Sequence, residues 1–300
     1  MASLDRESPI LPPELEREIF ETAAIRHPKV IPTLFLVSRR VHDWVECVKY
    51  RTILPAGREA ELGVDTQMLC SDVQLLRAIQ SESKPESFFC DRVKHLFAQD
   101  ITASQFRTLL SACKNIDILA VLTSHRAEAQ PMFELQALHP CRLGIEISDL
   151  IPSLPQDAHF HPILTSVTHL DLYDVKHRDD FIGNLALLHT LTHLSLWNGS
   201  ASVAEMSAVL SKCRRLEALV DMHAGVPKDA HPTFEDDAPC TAEVRFVSIS
   251  LNDDAYLRDW VVGTQGGIDF WARADAFIIR RRHGKIDPST RYWIEEGDGI

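Results

Sequence analysis

The side chains best equipped for chemistry lie in the middle and near the end of this 300-residue chain. His169, Asp171 and Ser195 supply a base, a carboxylate and a hydroxyl, the set a hydrolase uses to activate an oxygen nucleophile. Ser195 sits in His193-Leu194-Ser195-Leu196-Trp197, which has none of the glycines of a strained nucleophile elbow. His159-Phe160-His161, joined by His169 or His177, could offer imidazoles to a metal from one face. Zinc sites add thiolates or carboxylates at short fixed spacings, and none sits so here. Gly263-Thr264-Gln265-Gly266-Gly267 precedes a helical pattern, as a phosphate-cradling loop does. It lacks the lysine-serine ending and the dinucleotide spacing, so a turn is the plainer reading. Seven cysteines are an odd number, and no two form a C-x-x-C pair. The inventory therefore predicts no catalytic residue, no metal and no cofactor.

Whole-chain properties narrow the classes further. Hydrophobic residues make up 45% and charged residues 25%, the mix of a globular protein with a core. The net charge of −12 argues against a nucleic-acid footprint, which needs a basic face, and against docking on anionic lipid. No apolar run approaches the roughly 18 residues needed to cross a bilayer, and MASLDRESP does not resemble a signal peptide. With unpaired cysteines, the expected setting is the cytoplasm or nucleus.

The elements that must position these residues are written in a repeat. Apolar residues recur as apolar, two residues, apolar, one residue, apolar. Good copies are Val93/Leu96/Ala98, Ile116/Leu119/Val121, Val167/Leu170/Leu172, Leu191/Leu194/Leu196 and Val244/Val247/Ile249. Weaker copies fit at Arg142/Ile145/Ile147 and Leu216/Leu219/Asp221. The central positions fall at 96, 119, 145, 170, 194, 219 and 247, a period near 25. That period predicts an α/β leucine-rich repeat solenoid, with one short parallel strand and one helical return per turn. Leu110-Ser111-Ala112-Cys113 repeats as Leu210-Ser211-Lys212-Cys213, four periods on. Each cysteine reads as a buried thiol at a helix-to-strand corner. The clearest returns are Thr102–Lys114, Asp179–Leu188 and Ser202–Arg215, whereas the prolines at 152, 155 and 162 predict an irregular one. Residues 223–243 read as an exposed loop.

Residues flanking the central apolar position point to the opposite, concave face. His169, Asp171, Tyr173, His193 and Trp197 would then form one patch on adjacent strands, and its aromatic and polar mix suits a protein partner.

The N-terminal stretch reads differently. Leu11-Pro12-Pro13-Glu14-Leu15 places proline and carboxylates in a helix's first turn. His27-Pro28 ends that helix, and Pro32 opens another. Leu34, Val37, Val41, Trp44, Val45 and Val48 continue an apolar stripe up to Tyr50-Arg51. In order and spacing, LPPELEREIFETAA, HP, IPTLFLVSRRVHDWVE and YR resemble the F-box, and more narrowly the fungal F-box-like families that carry leucine-rich repeats. The resemblance covers about 45 residues. It implies a three-helix module that docks on a Skp-type adaptor of a cullin-RING ubiquitin ligase, while the repeats hold a protein target. Residue by residue, it assigns adaptor contact to Leu11, Pro12, Leu15, Ile19, Phe35, Leu36 and Val41. The residues themselves leave a second reading open, in which these helices only cap the first repeat.

The expected organisation is a helical module over 8–54, a connecting segment over 55–90, repeats over 91–252 and a C-terminal cap over 253–300. Asp269–Arg282 reads as the cap's helix, Trp260-Val261-Val262 as a strand or helix end, and Glu295–Asp298 as a frayed acidic tail.

Overall fold

A computed structural model describes residues 11–58, 62, 69–82, 84–122, 134–146, 161–173, 185–225 and 238–300. Nine parallel strands form a single sheet: β1 (Thr52–Leu54), β2 (Cys70–Ser71), β3 (His95–Gln99), β4 (Ile118–Leu122), β5 (Arg142–Ile145), β6 (His169–Leu172), β7 (His193–Trp197), β8 (Ala218–Ala224) and β9 (Phe246–Leu251). Their order is β2-β1-β3-β4-β5-β6-β7-β8-β9, so from β3 onward each strand lies beside the one before it. This is the parallel α/β arrangement the repeat implied.

The register explains the repeat and corrects it twice. Leu96, Leu119, Leu143, Leu170, Leu194, Leu219 and Phe246 pair across neighbouring strands and share one core. In β5 the central residue is Leu143, not Ile145; both point the same way, because strand side chains repeat every two residues. In β9 the error was one residue, which exchanges the faces. Phe246 joins the shared core, while Val247 and Ile249 face the other side. Both faces of β9 are buried, so apolar residues there do not mark one face.

The sheet also begins earlier than expected. Thr52 and Ile53 pair with His95 and Leu96, so the strands start inside the segment assigned to the helical module.

The outer face of the sheet is covered by α4 (Asp72–Gln80), α5 (Glu86–Arg92), α6 (Ala103–Ala112) and α7 (Val203–Lys212), with 3-10 turns at Glu134–Ala137, Pro162–Thr165 and Leu185–Leu187. Capping boxes start three of the helices: Ser71 with Gln74, Thr102 with Gln105 and Ser202 with Glu205. Cys113 and Cys213 are the C-caps of α6 and α7, the corner positions read from the sequence. Burial pushes the Cys113 thiol up to about 12, so it is inert. Most of the Asp179–Leu188 return and of the proline-rich return lies outside the described residues, as does much of the 223–243 loop; His223 and Ala224 belong to β8.

The C-terminal segment does more than close one end. Its helices α8 (Asp253–Thr264) and α9 (Phe270–Arg282) lie across the inner face of the sheet. Tyr256, Leu257, Trp260, Phe270, Trp271, Ala274 and Phe277 pack there against Phe97, Ala120, Val220, Met222, Val247 and Ile249. Trp260-Val261-Val262 is therefore interior to a helix. The final segment then runs beside β9: Ser248 donates its backbone N–H to the Tyr292 carbonyl at 2.7 Å, and Ile294 donates to the Ser248 carbonyl at 3.3 Å. This occupies an edge that would otherwise be open for pairing. The acidic tail is not frayed, because Arg291 grips the Asp298 carboxylate at 2.6 and 2.9 Å.

At the other end, α1 (Pro13–Arg26), α2 (Ile31–Leu34) and α3 (Arg39–Lys49) enclose a small core of Ala24, Ile31, Val41 and Val45. Tyr50 packs edge-on to Phe88 and Phe89 at 5.5 and 5.6 Å, and Lys84 meets Glu46 at 2.7 Å; these contacts join the helices to the body.

Leu194 is fully buried in the shared core and Leu187 is half exposed. Leu194→Ala is expected to cost about 2–5 kcal/mol, against under about 0.5 kcal/mol for Leu187→Ala. Urea denaturation of the two variants checks this.

Candidate functional site

Two places gather the residues singled out in the sequence. The first lies between the inner face of the sheet and the helices α8 and α9. Register brings His169 beside His193 and Asp171 beside Ser195. The two imidazoles stack with centroids 4.1 Å apart and planes 6° from parallel. Trp271 of α9 closes edge-on over both, at 5.3 and 5.8 Å. Thr168 donates its hydroxyl proton to the Cys141 carbonyl at 3.0 Å, which leaves the His169 Nδ1–H to donate to Thr168 Oγ1 at 2.9 Å. His193 uses both ring nitrogens, Nδ1 with Thr192 Oγ1 at 2.8 Å and Nε2 with Asp275 Oδ1 at 3.0 Å.

Asp171 is buried at the centre of a second network. Tyr256 and Trp197 donate to its two oxygens, each at 2.6 Å. Tyr256 spends its proton on that carboxylate, so Tyr173 donates to the Tyr256 oxygen at 2.9 Å. Gly144 makes room for this: a Cβ there would stand 2.2 Å from the Tyr173 hydroxyl. Burial raises the Asp171 carboxyl to about 6, against the pull of its hydrogen bonds. Burial also lowers His169 and His95 to about 3, helped at His169 by its neighbours His193 and Arg142.

A third tie completes the closure. Arg142 meets Asp269 at 2.7 Å, and the same carboxylate caps α9 through the Ala272 N–H at 2.9 Å. Gly263 leaves the space that Asp269 fills, since a Cβ at Gly263 would lie 2.2 Å from Asp269 Oδ2. The Gly263–Gly267 turn thus wraps an internal carboxylate at the helix start.

The cavity among Arg142, His169, Asp171, Tyr256, Asp269 and Trp271 is about 20 Å³, room for about one water. Asp171 is spent on Tyr256 and Trp197 and His169 on Thr168, so the base–carboxylate–serine set is not assembled for nucleophilic attack. His161 caps a 3-10 turn through Nδ1, while His159 and His177 lie outside the described residues. Among the described residues, no three or more His, Cys, Asp or Glu converge as a metal site, and no helix is long and apolar enough to cross a membrane.

The five patch residues therefore do come together, but not on an open surface. Asp171 and His193 are buried, and His169, Tyr173 and Trp197 are partly covered by the chain's own helices. The sequence reading missed Tyr256, Asp269, Trp271 and Asp275, which do the covering. Asp269 ahead of an apolar helix was visible as a cap; its second partner, 127 residues away, was not.

The second place is the outside of the N-terminal helices. Leu15 and Ile19 stand 49% and 53% exposed, four residues apart on one side of α1, and Leu11, just ahead of the helix, is 42% exposed. Pro12 is exposed and Leu36 is 85% exposed. Phe35 is half-buried against the His42 ring at 4.7 Å. Val41 is fully buried in the module's own core, so its assignment to adaptor contact is corrected to a packing role. Neither a protein-family model nor a curated protein matches the chain.

The shifted groups set a pH dependence with opposing signs. His169 and His95 are held below their ordinary range, so the stability they confer is present above about pH 6.5 and is lost as pH falls toward 3. Asp171 is held above its range, so its contribution is present below about pH 4 and is lost as pH rises through 6. Each group contributes a slope of at most about 1.4 kcal/mol per pH unit. Between about pH 7 and pH 5, His169→Gln is expected to flatten the loss of stability and Asp171→Asn to steepen it. Urea midpoints at the two pH values measure both.

Proposed function

We propose that this chain is a non-catalytic recognition protein of the F-box-like type. Its N-terminal helices hold a Skp-type adaptor of a cullin-RING ubiquitin ligase, and its body, read as a leucine-rich repeat coil, carries a protein target for ubiquitination. Catalysis belongs to other subunits, and this chain contributes position. The cytoplasm or nucleus is the matching compartment.

The observation that carries this reading is the apolar exposure of a very small module. Leu11, Leu15, Ile19, Leu36 and Val37 all face solvent on a unit whose own core holds only four buried residues. Apolar side chains grouped on so small a surface mark a contact site. With α8 and α9 covering the inner face, the target is left the outer helical side of the body or its rim.

The competing reading, a repeat scaffold without ligase attachment, has one observation in its favour. Tyr50 packed against Phe88 and Phe89, with the Lys84–Glu46 pair, is what a plain cap would show.

The two readings separate in a pull-down with purified Skp-type adaptor. The full chain is expected to retain adaptor, and the double variant Leu15→Asp/Ile19→Asp to bind roughly 30-fold more weakly, as loss of an interface centre does. Both residues are exposed, so the fold survives the change. Equal retention by wild type and variant favours the scaffold.

A further inference from the structure

The stretch from the end of α1 to the start of α3, with the corner between α2 and α3 inside it, carries an unusual charge pattern. From Thr22 to His42 the chain has four Arg or Lys residues and no Asp or Glu, in a protein of net charge −12. Leu36 and Val37 project from the α2–α3 corner at 85% and 54% exposure. Arg26 at the end of α1, Lys29 in the turn before α2 and Arg39 at the start of α3 are exposed, and none of the three has an ion-pair partner among the described residues. Arg39 and Arg40 also occupy the first turn of α3, where the helix dipole disfavours cations. Glu16 offsets Arg40 at 2.6 Å, but Arg39 has no such relief. Asp43, one turn further along α3, faces His42.

The corner is also held rigid. Phe35 donates its backbone N–H to the Ile31 carbonyl at 2.9 Å, and Leu36 and Val37 donate to Thr33 and Leu34 at 3.1 Å each. Ser38 caps α3 through the Val41 N–H at 3.3 Å. A preorganised apolar tip loses little entropy on docking.

We infer that this corner is a plug for an apolar socket edged by carboxylates on the adaptor, with Leu36 and Val37 entering the socket and Arg26, Lys29 and Arg39 meeting its acidic rim. The inference rests on the adaptor reading above and adds the chemistry of the partner's face. Charges at such a rim act mainly on the rate of encounter and are screened by salt.

The test is surface-plasmon measurement of adaptor binding by the full chain between about 50 and about 300 mM salt. Wild-type association is expected to slow as salt rises. Lys29→Glu/Arg39→Glu should bind roughly tenfold more weakly at low salt, through slower association, and should lose the salt dependence. Leu36→Asp should weaken binding by a similar factor through faster dissociation. If the charge-reversed variant or Leu36→Asp binds as wild type does, while Leu15→Asp/Ile19→Asp does not, the plug is wrong and the adaptor reading stands. If the wild type binds no adaptor at all, both fall.

Discussion

A parallel sheet has two apolar faces, and both must be taken out of water. The rest of this structure answers that requirement. Helices and 3-10 turns between strands cover the outer face, each carried by the repeat it belongs to. Among the described residues the inner face is covered chiefly by α8 and α9, which come after every strand in chain order. The polar residues on that face are then trapped, and each must find a partner or lose one. Tyr256, Trp197, Asp275 and Asp269 are those partners for Asp171, His193 and Arg142.

This changes the meaning of the residues that first suggested chemistry. Histidines, a carboxylate and a serine on neighbouring strands look like a reactive set when written in a line. In the fold the histidines and the carboxylate are fasteners between two layers, and the perturbed acidities of His169 and Asp171 record burial. A perturbed group marks a functional site only when something can reach it. Here the space beside it has room for about one water.

Local features were legible in the sequence and distant ones were not. The leucine spacing gave strands β3 to β8, because each strand repeats the same apolar demand at the same interval. Cys113 and Cys213 marked helix ends, and Pro12-Pro13 and His27-Pro28 bracketed α1, because caps and prolines act within a turn. The shift in β9 escaped notice because that strand is apolar on both sides. Strands β1 and β2 are only three and two residues long, too short to show a period. The covered inner face was hidden for a different reason: α8 and α9 read as an end cap, and an apolar stripe does not say which surface it seeks. The exposure of Leu11, Leu15 and Ile19 was implied only by resemblance, and the burial of Val41 shows how one stripe divides between a module's own core and its outside.

The helices that cover the inner face follow every strand of the sheet in chain order. Until Asp253–Arg282 leaves the ribosome, Phe97, Ala120, Val220 and Met222 lack the aromatic layer that α8 and α9 lay over them. A growing chain that has made the strands but not these two helices therefore carries a half-covered apolar sheet, the kind of surface that holdase chaperones shield. Premature termination before Asp253 would leave that layer unmade and the sheet exposed to aggregation.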